Sequence, residues 1–91
     1  MIGKVAKVLY YINTQDNTKT NFMVIEHSRD LRSSRIISRL TEELESRGFG
    51  TKTICEDIVQ DFVHNENAKV NCEMGEYEFG IDEVSVLPLA L

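Results

Sequence analysis

Asp57, Asp61 and His64 come nearest to catalytic chemistry: four and three residues apart, they share one side of a helix, where carboxylates can orient an imidazole for proton transfer. The same spacing recurs on any solvated helix face, and neither a nucleophile nor an anion-stabilising loop accompanies it here. The chain contains no GxSxG, GxGxxG, GxxxxGK, HExxH or CxxC sequence. A small hydrolase built on His64 therefore ranks third among the readings, and a protein without enzymatic activity ranks first. Cys55 and Cys72 interleave with His27 and His64, but nothing gives them the close ligand pairs of a zinc site, so neither metal nor cofactor is expected. Two lone cysteines fit free thiols in the cytoplasm. The apolar run at 8–12 is far shorter than the ~20 residues of a membrane span, so no membrane association is expected.

Charge is the stronger signal. Residues 1–52 carry nine basic and six acidic side chains, whereas residues 53–91 carry Lys69 alone against nine acids, giving the chain its net charge of -5. On the acidic side, Glu56, Asp57, Asp61, Glu73, Glu76 and Glu78 are the expected contact residues for another macromolecule, most simply a basic protein. Glu76, Glu78 and Asp82 alternate along a strand, so neighbouring carboxylates lie roughly 7 Å apart on one face, a repeat that permits mimicry of a phosphate backbone. Such a face is also the ordinary solvated side of an antiparallel sheet. The leading expectation is a small acidic regulator or inhibitor. The alternative is an RNA- or DNA-binding module using Arg29, Arg32, Arg35 and Arg39, which flank the start of a helix; pairing of Arg39 with Glu43 competes with that use.

The elements that must position these groups follow from periodicity. Residues 4–12 and 21–27 are rich in branched and aromatic side chains and predict two strands, joined by the polar, turn-forming stretch 13–20. From Ser33 the period changes: Ile36, Ile37, Leu40 and Leu44 make one helical stripe, capped by Ser33 or Ser34 and ended by Gly48, with residues 28–32 as a loop. The composition of 49–53 suggests a short strand. Thr53 and Glu56 form a capping-box pair for a second helix over 54–64, with Ile54, Cys55, Ile58, Val59, Phe62 and Val63 facing the core. Alternation then returns through Val70, Cys72 and Met74, and again through Tyr77, Phe79 and Ile81, with a tight turn at Met74 and Gly75.

These elements predict one α+β domain over 1–91, an antiparallel sheet with two helices packed on it, in the order β-β-α-α-β-β with a further strand at the C-terminal end. The stretch 84–91 has no charge, and Pro88 restricts it to an edge. An exposed apolar edge predicts a homodimer, with Val84 and Val86 in a strand pair and Leu87, Leu89 and Leu91 packed on the partner.

Overall fold

A consecutive run of branched and aromatic residues at 8–12 gives the strand at 4–13 apolar side chains on both faces, and the fold is organised around it. The computed structural model describes residues 4–26 and 30–86. Its elements are β1 (Lys4–Asn13), β2 (Lys19–Glu26), α1 (Ser34–Ser46), α2 (Lys52–Asn65), β3 (Ala68–Cys72) and β4 (Gly75–Val86). The strands form one antiparallel sheet in the order β2-β1-β4-β3. The α+β class and the element order are those expected from the sequence.

The two helices cover one face of this sheet. Leu9, Ala68, Val70 and Phe79 from the strands meet Ile36, Leu40 and Leu44 of α1 and Cys55, Val59, Phe62 and Val63 of α2 in one core. Rings of Tyr11, Phe49, Tyr77 and Phe79 stack edge-on or tilted, with centroids 5.0–5.7 Å apart, geometry that adds to area burial because ring edges are positive and faces negative. Arg47 pins α1 to this cluster: its Nη1 donates to the Tyr11 hydroxyl at 3.0 Å and its Nε to Glu43 Oε1 at 2.7 Å. The Glu43 partner is thus Arg47 rather than the expected Arg39.

Helix ends carry much of the local information. Ser33 Oγ accepts the Ile36 amide, the expected N-cap of α1. At the other end Gly48, with φ of 87°, lets its own amide reach Glu45 and the Phe49 amide reach Leu44, both at 3.1 Å, the paired bonds of a Schellman motif. The sequence erred on α2. Its cap is Thr51, whose hydroxyl accepts the Ile54 amide, and the chain from Phe49 to Thr51 is not a strand. Both threonines offer a cap; the bonds of Cys55 upstream, amide to the Thr51 carbonyl and thiol to the Gly50 carbonyl, select the earlier start. Ile54, expected in the core, is 50% exposed in that first turn.

Three further corrections concern the strands. Leu9 pairs with Met23 and Tyr10 with Asn21, so Phe22 is the extra residue of a bulge, which lets Phe22, Met23 and Ile25 all meet the core while Val24 faces out. Cys72 pairs with Gly75, which places the hairpin turn at Glu73 and Met74, one residue earlier than expected. Val84, Ser85 and Val86 extend β4 along β1 and form no separate strand; residues 87–91 lie outside the described residues. Leu31, set aside as a loop residue, is buried in the core beside α1.

Candidate functional site

β3 is the outer strand beside β4, and the acidic residues gather along both of its flanks. On the helix side, Asp57 and Asp61 of α2 line a hollow of about 260 Å³ whose opposite wall is the whole of β3. Glu56, one residue earlier and exposed, opens instead on the groove between α1 and α2, with Glu42, Glu45 and Lys52. On the sheet side, Glu76 and Glu78 line a second hollow of about 400 Å³ with Lys69 and Asn71 of β3. Glu73 is exposed in the turn that joins the strands. Five of the six expected residues, all but Glu56, therefore wrap an edge strand rather than share one flat face.

Local bonds hold this arrangement. Thr14, beyond the end of β1, binds the Glu76 carbonyl through its amide at 3.0 Å and its hydroxyl at 3.2 Å, fixing the strand at the first sheet-side acid. Asn71 and Lys69 stand opposite Glu76 and Glu78 in the β3–β4 register. Asn65 Nδ2 donates to Asp61 Oδ1 at 2.7 Å, which orients that carboxylate at the C-terminal turn of α2. Among the described residues no ion pair within 4 Å engages Glu56, Asp57, Asp61, Glu73, Glu76 or Glu78. Asp82 differs: Lys19 Nζ reaches it at 2.5 Å and lies 4.2 Å from the Tyr10 ring centre. Glu83 stands opposite Lys7 across β1–β4. Lys19 thus pairs with an acid at the far end of β4, while the acids flanking β3 have no ion pair among the described residues.

The basic residues are less concentrated. Arg35 and Arg39 are exposed on α1, and Arg32 precedes it, but Arg29 lies outside the described residues. Arg32 is committed locally: Asp30 Oδ1 accepts its amide at 2.9 Å and its Nε at 3.3 Å. Those bonds, the amide first, hold the Asp30 carboxyl below its ordinary value.

The acid–base trio is divided. Asp57 and Asp61 face β3, whereas His64 lines a hollow with Lys7, Asp30 and Arg32 and sets Nδ1 against the Gln60 carbonyl at 2.7 Å. Cys55 is buried and Cys72 half-buried, both as free thiols, and His27 lies outside the described residues. Among the described residues no cluster of three His, Cys, Asp or Glu side chains is placed to hold a metal ion, and no helix is long and apolar enough to cross a membrane.

Of the expected dimer residues, Val84 is exposed on β4 and Val86 ends that strand, while Leu87, Leu89 and Leu91 lie outside the described residues. Sequence reasoning missed the contacts of Tyr10 with Gly80 and of Lys19 with Asp82, which form only because β1 lies between β2 and β4; no local pattern announces a contact across 63 or 70 positions. Compared with protein-family models, curated proteins and solved structures, the chain has no match.

Proposed function

We propose that this chain is a non-enzymatic binding protein that receives an extended, basic segment of another protein along the β3 edge. The observation that supports this reading is the carboxylate rim: Asp57 and Asp61 on one flank of β3, Glu76 and Glu78 on the other, Glu73 at its end. An outer strand presents backbone donors and acceptors that a peptide strand can satisfy, and side chains at alternate positions of that peptide then reach both flanks. Lysine or arginine at those positions meets carboxylates on either side. Lys69, the one cation of the C-terminal half, sits on the rim opposite Glu78 and leaves the acids in excess.

Such an edge acts as a regulator or inhibitor by occupying a basic segment that its owner needs elsewhere. Electrostatic steering by exposed carboxylates speeds capture and makes it sensitive to salt. Pull-down of basic partners, or of a lysine- and arginine-rich peptide, weakens sharply between low and physiological salt and again on Glu76→Lys with Glu78→Lys. Binding indifferent to both changes overturns the proposal. The nucleic-acid reading has less support, since Arg32 already serves Asp30. If RNA or DNA binds with an affinity that falls with salt, and neutralising Arg32, Arg35 and Arg39 flattens that dependence, the nucleic-acid reading replaces this one.

A further inference from the structure

β4 is covered unevenly. β1 pairs with it from Tyr77 to Val86, but β3 accompanies it only from Gly75 to Phe79. Along 80–86 no strand among the described residues lies on the β3 side, and Glu83, Val84 and Ser85 are exposed there. Alternate amides and carbonyls of those seven residues point out of the sheet, an open template for another strand. We propose that the outer part of this half-edge, 82–86, pairs with the same residues of a second copy of the chain, antiparallel, about a two-fold axis through Val84.

Charge selects a copy over a charged stranger. Of the two acids of the segment, Asp82 is paired within the chain by Lys19 at 2.5 Å, and Glu83 stands opposite Lys7 in the β1–β4 register. The other residues of the segment, Gly80, Ile81, Val84, Ser85 and Val86, carry no charge. A neutral, branched strand fits such an edge, and the segment is itself one.

Symmetry then restricts the register. Directly opposed residues of an antiparallel pair share a face, so a two-fold axis normal to the sheet must pass a residue paired with its own copy. An axis at Asp82 or Glu83 sets a carboxylate against its copy, which is unfavourable. An axis at Ile81 brings the copy to Phe79, where β3 already pairs. At Val84 the valines meet, Glu83 faces Ser85 of the copy, and Asp82 faces Val86. The result is one continuous sheet of two four-stranded halves. This pairing uses the opposite end of β4 from the acidic rim and does not rest on the function proposed above.

Sedimentation equilibrium of the full chain across a concentration series gives twice the chain mass. Val84→Asp raises the dissociation constant by about tenfold or more, through paired carboxylates at the axis, whereas Val84→Thr leaves it near the original. Circular dichroism checks that both variants fold. The register is read separately in a Cys72→Ser background: Val84→Cys oxidises to a covalent dimer, because opposed Cβ atoms lie about 4.5–5.5 Å apart, while Asp82→Cys and Glu83→Cys lag. If Val84→Asp fails to fold, the mass of the unaltered chain and the cross-linking series decide. A monomer at every concentration, or cross-linking fastest away from Val84, overturns the proposal. Glu76→Lys with Glu78→Lys leaves the dimer intact, so the two proposals fail independently.

Discussion

Gly80 lies opposite Tyr10 across β1 and β4, and a methyl group at that position would run into the phenol ring. The ring covers a strand glycine on the face away from the helices and carries Lys19 above it. Gly80→Ala therefore costs about 1–3 kcal/mol by overpacking, and most of that cost disappears in a Tyr10→Ala background. Urea denaturation of the four-member cycle measures it; strictly additive losses contradict the contact. The thiols make a second residue-level case. Burial, then the Glu45 charge, then Cys72, raise the Cys55 pKa above its ordinary 9.0. Because the folded value is the higher one, the stabilisation is complete below pH 9.0 and is lost as pH rises through the folded pKa. With a thiol-reactive disulfide at neutral pH, half-buried Cys72 reacts first and Cys55 follows only as the fold opens. Equal rates would show that Cys55 is accessible.

Elements were legible where one residue type answers one geometric need. The stripe Ile36, Leu40, Leu44 with Ser33 before it and Gly48 after it specifies α1 almost completely, since cap, buried face and left-handed terminus are each local. Gly48→Ala forces a Cβ into φ of 87° and costs about 1–2 kcal/mol, a loss that thermal unfolding detects; no change in melting would contradict the role assigned to the motif. The start of α2 was not legible, because Thr51 and Thr53 offer the same hydroxyl and the choice rests on Gly50, Thr51 and Cys55 bonding once the core has formed. The bulge at Phe22 hides for a similar reason: three core contacts in 22–25 break the two-residue period, and only pairing with β1 shows where the extra residue sits. Val84 and Val86 read as an independent edge because strand length is set by the partner, here β1, rather than by the segment itself.

At the scale of the whole molecule, the sequence divides its charge between two halves, but the sheet interleaves them. β4 carries C-terminal acids between β1 and β3, so Lys19 pairs with Asp82 and Lys7 stands opposite Glu83 at one end, while the other end has Lys69 alone. The acidic residues were recognisable from composition, and their type from exposure on alternate positions; their convergence on an edge strand required the sheet order. That convergence is the central claim, and backbone amide NMR of the full chain titrated with an extended lysine- and arginine-rich peptide at low salt tests it most directly. The account predicts shifts concentrated on β3, on Asp57 and Asp61, and on Glu76 and Glu78, fading as salt is raised and lost on Glu76→Lys with Glu78→Lys. Shifts centred on Arg32, Arg35 and Arg39, or spread evenly over the surface, would contradict it.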